Sequence, residues 1–210
     1  MDHSSHEHHR MGSTNAMAVS ATLHCLTGCA IGEILGLVLG TAWGLGNVAT
    51  IAIAVALAFL FGYALSTLPL LRAGLGVGAA LTVVLAADTL SIATMEVVDN
   101  LVMAVVPGAM EAGLVNPVFW LSMMLALTVA FFAAWPVNRY LLARGKGHAL
   151  THEFHGATPA GARRFIPDLA TSTLVAAITA FMLGGLLVST ADELGAERET
   201  GHASAPAHRP

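Results

Sequence analysis

The sequence predicts an all-α polytopic membrane helix bundle of five transmembrane helices, with the N-terminus inside and the C-terminus outside. Composition is the first ground. The chain has 210 residues, of which 56% are hydrophobic and only 10% charged, and its mean hydropathy is +0.73. Soluble domains carry about 25% charged residues. The second ground is five long apolar runs, each reaching the ~20 residues that cross a bilayer as a helix. The third is the placing of the basic residues, which fall almost wholly on one side of such a bundle.

The runs follow one another with short breaks. The first, Ser20–Leu45, is too long for a signal peptide; no basic stretch directly precedes it and no small-residue cleavage site follows it in polar sequence. Val48–Leu71 is the second and Leu75–Val106 the third, the longest, which is expected to tilt or break. Pro107-Gly108 closes the third run, and Pro117 opens the fourth, Val118–Leu142. Pro136 lies inside the fourth, at a position where proline kinks a helix. The fifth is Ile166–Val188. Residues 1–19 read as a His-rich disordered cytoplasmic tail and residues 189–210 as a disordered C-terminal tail. The transmembrane domain, residues 20–188, includes a His-containing inner loop over 143–165.

Orientation follows from the positive-inside rule. Arg139, Arg144, Lys146, Arg163 and Arg164 cluster between the fourth and fifth runs, Arg72 between the second and third, and Arg10 in the leading tail. Five spans with the N-terminus inside put all of these in the cytoplasm. Arg198 and Arg209, in the trailing tail, are left outside.

Acidic residues interrupt the apolar helices at three places. The first run contains Leu23-His24-Cys25-Leu26-Thr27-Gly28-Cys29-Ala30-Ile31-Gly32-Glu33. The third contains Asp88, Ser91, Met95, Glu96, Asp99, Asn100 and Met103. Asp168, before Thr171, Ser172 and Thr173, falls in the first turn of the fifth run, where a carboxylate offsets the helix dipole. A charged carboxylate in hydrocarbon costs about 2.5 kcal/mol or more, so intramembrane acids are functional candidates. Sulfur beside these carboxylates points to a cation or proton route and tilts the choice toward a soft metal ion.

Periodicity groups the candidates. Cys25, Cys29 and Glu33 share a stripe at i, i+4, i+8, and Asp88, Ser91, Met95 and Asp99 share another at i, i+3, i+7, i+11. Counted from Ser20 and from Gly74, Glu33 and Asp88 both lie ~20 Å above the inner face, at 1.5 Å per residue. They are therefore expected to face each other near the midplane. His24, Cys25 and Cys29 step down toward the cytoplasm as an inner site. Met95, Glu96, Asp99 and Met103 step up as an outer site. The two cysteines, one helical turn apart, suit a disulfide poorly.

The other conspicuous residues have plainer readings. Gly28, Gly32, Gly36, Gly40 and Gly44 recur every four residues, a spacing that lets helix backbones approach closely in lipid. That face is expected to pin the first helix to a neighbour, or to its copy in a homo-oligomer. His148, His152 and His155 would share one face of a short helix, making them secondary metal candidates. His3, His6, His8 and His9 form a second imidazole group in the tail. Trp43, Trp120 and Trp135, near span ends, read as interfacial anchors. Met123 and Met124 read as packing residues, and Asn138 as a cap for a carbonyl freed by Pro136.

Several function classes are excluded or disfavoured. A net charge of −4 gives no footprint for nucleic acid. There is no Gly-rich phosphate loop ending in Lys-Ser/Thr and no Ser-His-Asp order. An enzyme is thus less expected than a binding or transport protein, and transport would be passive, gradient-driven or partner-assisted.

The pattern Leu-His-Cys-x-x-Gly-Cys-x-x-Gly-Glu at Leu23–Glu33 is followed by Ala-Asp-Thr-x-Ser-Ile-x-x-Met-Glu-x-x-Asp-Asn at Ala87–Asn100. Pro107–Met110, Phe119-Trp120, Pro136–Arg139 and Arg144–His148 complete the set. Together they resemble a prokaryotic multi-pass membrane family catalogued as a domain of unknown function. The resemblance implies a shared polar signature from about Ala21 to His155 and a place in the prokaryotic cell membrane. It implies no activity.

The leading expectation is a membrane protein that binds and conducts a transition-metal ion, copper(I) first and zinc second. Its ligands would be His24, Cys25, Cys29, Glu33, Asp88, Met95, Glu96, Asp99 and Met103. Thiolate and thioether select Cu(I), and carboxylates suit harder ions. Two alternatives stay open: an intramembrane metal- or haem-dependent oxidoreductase, and a structural subunit whose polar residues fasten helices within a membrane complex.

Overall fold

The computed structural model describes residues 3–144, 161–167 and 170–203, with side chains over 14–144, 161–167 and 170–196. Five long helices appear in order: α1 (His3–Ala42), α2 (Asn47–Arg72), α3 (Val77–Val105), α4 (Pro117–Ala143) and α5 (Thr171–Ala203). A 3-10 turn at Gly161–Phe165 precedes α5. All five contain a stretch long and apolar enough to cross a membrane: Thr14–Ala42, Asn47–Arg72, Val77–Val105, Pro117–Ala143 and Thr171–Ala196. Among the described residues there is no strand.

The middle three helices start and end within one or two residues of the expected limits. α1 differs. Its helical backbone does not begin at Ser20 but runs back to His3 through the polar leading segment. Nothing in Gly12-Ser13-Thr14-Asn15 stops it, because a helix satisfies its own backbone groups. α5 likewise continues beyond Val188 to Ala203. Asp168, Lys146, His148, His152 and His155 lie outside the described residues.

Two turns of the same construction make the first two reversals. Gly44, two residues beyond α1, has φ +64°, and Gly74, two residues beyond α2, has φ +110°. In the first turn Leu45 N–H donates to Gly40 C=O at 2.8 Å and Gly44 N–H to Thr41 C=O at 3.2 Å. The second repeats the pattern, with Leu75 donating to Leu70 at 3.1 Å and Gly74 to Leu71 at 3.2 Å. This six-to-one, five-to-two pairing satisfies the last carbonyls of a helix and needs a left-handed residue, which glycine supplies without a Cβ clash. The longer α3–α4 link ends at Asn116, whose side chain accepts from Val118 N–H at 2.9 Å, with Pro117 in the first helical position.

α1 is the hub and packs against each of the other four helices. Its most hydrophobic window is 56% buried, against 11% for those of α2 and α5, which face outward. The glycine ladder produces the tightest seam. A Cβ on Gly28 would lie 2.6 Å from the backbone of Gly62, and one on Gly32 would lie 2.2 Å from Ala58 N. Gly36 meets Ala54 and Gly40 meets Thr50 in the same way. The ladder is therefore spent within the chain, against α2. The expectation that this face joins two copies of the chain gains no support, because α2 already covers Gly28, Gly32, Gly36 and Gly40, while Gly44 belongs to the turn.

Five threonine hydroxyls within the spans are satisfied locally. Thr22, Thr27, Thr67, Thr94 and Thr128 each donate to the carbonyl four residues earlier, at 2.7–2.9 Å. Trp120, expected as an interfacial anchor, is instead core. Only 4% of it is exposed, it meets Phe119 and Phe181 edge-on, and its indole N–H donates to Leu114 C=O at 2.8 Å. The fit is possible because Gly185 of α5 leaves room for the ring. Trp43, by contrast, is 63% exposed at the end of α1, where an anchor belongs.

Candidate functional site

The polar residues of α1 and α3 form one buried file. His24, Cys25, Cys29, Glu33, Asp88, Met95, Glu96, Asp99 and Met103 are all buried, none more than 9% exposed. Their helices run in the same direction, so a stripe of i, i+4, i+8 on each meets the other level by level. Cys25 lies against Ser91, Cys29 against Met95 and Glu33 against Asp99. The sequence separation is sixty-six residues in every case, as it is between Cys29 and Met95. Successive levels are about 6 Å apart along the helix axes.

The level nearest the α1 N-terminus joins three helices. Asn138 of α4 donates through Nδ2 to Thr22 Oγ1 of α1 and to Ser91 Oγ of α3, both at 2.9 Å. Thr22 Oγ1 passes its own proton to Ala18 C=O at 2.7 Å. Cys25 sits at this level, with Asp88 one turn of α3 toward the α3 N-terminus. Asn138 was expected to cap a carbonyl near Pro136; it closes the file from the side instead. Thr22 was not singled out at all. The usable signal was its spacing, one turn before Leu26 and three residues before Cys25, on the face that carries the cysteine stripe.

At the middle level Cys29 Sγ stands 4.0 Å from Met95 Sδ, with the thiol directed at the thioether. The Glu96 carboxyl lies beside the same thiol. Both cysteines are free, as their spacing on one helix led us to expect. His24 is buried on α1 beside Cys25, about 100° around the helix from it.

The level nearest the α1 C-terminus is the carboxyl pair Glu33 and Asp99, with Glu96 close by. Both Glu33 carboxyl oxygens and Asp99 Oδ1 are buried and meet no hydrogen-bond donor; what they meet is each other. This overturns the expected pairing of Glu33 with Asp88. Since Asp99 is level with Glu33, Asp88 lies eleven residues lower on α3, about 16 Å away along its axis. The error came from the helix starts. The α1 helix runs back beyond Ser20 to His3, so Ser20 does not mark its start, and α3 begins at Val77. The expected inner and outer sulfur sites consequently merge, because Met95 and Glu96 stand at the level of Cys29. Met103 alone lies farther along, in the wall of a cavity.

That cavity, about 340 Å³, opens where α1 ends, α2 begins and α3 passes into the α3–α4 link. Glu33 and Asp99 form part of its lining. A second cavity of about 440 Å³, between α1, α4 and α5, is lined by apolar side chains such as Leu26, Phe131 and Ile178 and by the hydroxyls of Thr27, Thr128 and Thr179. Among the described residues no three His, Cys, Asp or Glu side chains converge as a group able to hold a metal ion. The soft donors that do meet are a thiol and a thioether.

The file can therefore do three things chemically. It offers a soft two-sulfur contact at mid-depth. It places a carboxyl pair, able to share a proton or a cation, at the floor of an open cavity. It shuts the other end with an amide–hydroxyl knot. No curated protein and no solved structure gives a significant match to this chain. Residues 14–147, which include α1 from Thr14 onward, α2 to α4 and every residue of the file, match the family described as Domain of unknown function (DUF4396), and the chain belongs to that family.

Proposed function

We propose that this multi-pass membrane protein binds a soft transition-metal ion, copper(I) first and zinc second, between Cys29 and Met95 and passes it along the α1–α3 seam. The observation that supports the reading best is the 4.0 Å separation of Cys29 Sγ and Met95 Sδ in a fully buried setting. Two sulfurs sharing one d¹⁰ ion at ~2.3 Å each stand about 4 Å apart, so the pair is already spaced for a shared ligand. Thiolate and thioether favour Cu(I) over harder ions. Glu96 supplies an oxygen beside the thiol, and Cys25 a second thiol one turn away. Glu33 and Asp99 form the next station, where a cation relieves two facing acids. In this scheme the chain sits in the prokaryotic cell membrane with its N-terminus inside, so the cavity beside Glu33 faces outward; the asymmetry of basic residues supports this.

The deciding experiment is metal analysis of the protein purified under reducing conditions, beside Cys29→Ser and Met95→Leu. Copper(I) bound at one ion per chain in the parent and lost in both variants is the expected result. Undiminished copper in both variants would remove the site.

A further inference from the structure

The cavity beside Glu33 has the wrong shape for a metal ion alone. At about 340 Å³ it falls within the usual range of small-molecule sites, whereas a coordinated ion needs only its ligand shell. Leu37, Ile51, Ala54, Met103, Ala112 and Phe119 give it apolar walls, and Thr41, Asn47, Thr50 and a third acid, Glu111, also line it. Among the described residues no Lys, Arg or His lines it. Its polar floor is the carboxyl pair of Glu33 and Asp99, each more than nine-tenths buried, with three of their oxygens meeting no hydrogen-bond donor. Asn100 offers an amide at the same depth, although its Nδ2 is already given to Glu96 C=O at 2.9 Å.

We propose that this cavity is a binding site for a small amphipathic organic cation, whose charged head sits on Glu33 and Asp99 and whose apolar body fills the space toward Phe119 and Met103. An apolar ligand alone would leave two buried acids uncompensated. A hydrated inorganic ion would leave the apolar walls wet. A compound with both parts satisfies both surfaces. The cavity mouth lies at the helix ends, where such compounds concentrate at the membrane interface. The proposal does not rest on the Cys29–Met95 metal reading.

The test uses the full chain in nanodiscs of uncharged lipid, with benzyltrimethylammonium as the probe and neopentylbenzene, its uncharged isostere, as the control. Equilibrium dialysis should show saturable binding of the cation at one per chain. Glu33→Gln and Asp99→Asn should each weaken it at least tenfold, and Cys29→Ser should leave it within twofold. Ala112→Phe, which fills the cavity and keeps both acids, should also weaken it at least tenfold; this arm decides the matter if a carboxyl variant fails to fold. Absence of saturable binding, displacement of the cation by neopentylbenzene as readily as by the cation itself, or full binding by Ala112→Phe would each overturn the proposal. Loss of copper with retained cation binding in Cys29→Ser would show that the two sites stand apart.

Discussion

Cys29 of α1 and Met95 of α3, both fully buried, meet sulfur to sulfur at 4.0 Å. The contact fixes the register of the two helices. Because Cys29 faces Met95, Cys25 must face Ser91 and Glu33 must face Asp99, one turn to either side. A soft station, a carboxyl station and an amide knot thereby fall at successive levels of one file.

Met95→Leu should separate the role of sulfur from that of bulk. Methionine and leucine are close in volume, and such swaps in a core usually cost under about 1.5 kcal/mol. The variant should therefore fold, while its copper(I) affinity, measured by competition with a chromogenic Cu(I) chelator, falls at least tenfold. Cys25→Ser, one turn from the pair, should weaken binding less than Cys29→Ser. Equal affinity of Met95→Leu and the parent would mean that the thioether is only filler.

The α1–α2 seam leads to a stability prediction. Gly32→Ala puts a methyl group 2.2 Å from the Ala58 backbone nitrogen, and backbone cannot step aside as a side-chain end can. The helices must part, at a cost of roughly 1–3 kcal/mol by analogy with overpacked cores. Gly78→Ala, in α3, meets nothing within 4 Å and should be neutral or slightly stabilising. Denaturant unfolding in detergent micelles compares the two. A Gly32→Ala protein as stable as the parent would show that the seam is looser than it looks.

The class, the number of spans and the limits of the middle helices were legible because each rests on a local property, a run of apolar residues closed by glycine or proline. The candidate residues were legible for the same reason: a carboxylate inside such a run is conspicuous by itself. Register was not. It depends on where α1 starts relative to α3, and hydropathy sees the apolar run from Ser20, whereas helical backbone extends through Thr14 without needing apolar side chains. The partner of the glycine ladder was also hidden, since spacing tells that a close neighbour exists but not which one. Trp120 was misread because its cradle, Gly185, lies sixty-five residues away.

Asn138 should prove to be a structural clasp. Its amide donates to both Thr22 and Ser91, and interhelical hydrogen bonds in membranes are worth about 0.6 kcal/mol on average. Asn138→Ala should cost roughly 1–2 kcal/mol on that basis. Combined with Ser91→Ala it should cost less than the sum of the two single changes, because both remove one bond. Strict additivity in unfolding measurements would show that the two side chains do not depend on each other.

Topology can be checked without any ligand. A reporter active only outside the cytoplasm, fused after Pro210, should be active, and the same reporter placed at Gly156 should be silent. Basic residues concentrate on the side of Gly156: Arg139, Arg144, Lys146, Arg163 and Arg164 around the α4–α5 connection, with Arg72 and Arg10. The opposite pattern would reverse the side on which the Glu33 cavity opens, leaving the file itself unchanged.

The last prediction concerns which acids act together. Glu33 and Asp99 face each other at low dielectric, where two full negative charges cannot persist without a proton or a cation between them. Removing either charge with Glu33→Gln or Asp99→Asn should leave the fold intact, since each keeps its shape and spares a buried charge. Either change should lower copper(I) flux into proteoliposomes severalfold, because the station that receives the ion from Cys29 and Met95 has lost its compensation. The double change should be little worse than either single one, as expected for groups that work as one unit. Asp88 should behave differently. It stands about 16 Å below along α3, beyond the distance at which side chains usually couple. Asp88→Asn together with Glu33→Gln should therefore give a flux deficit equal to the product of the two separate deficits. If the Glu33 and Asp99 changes multiply while those at Glu33 and Asp88 do not, the register of α1 against α3 is wrong, and the order of stations goes with it.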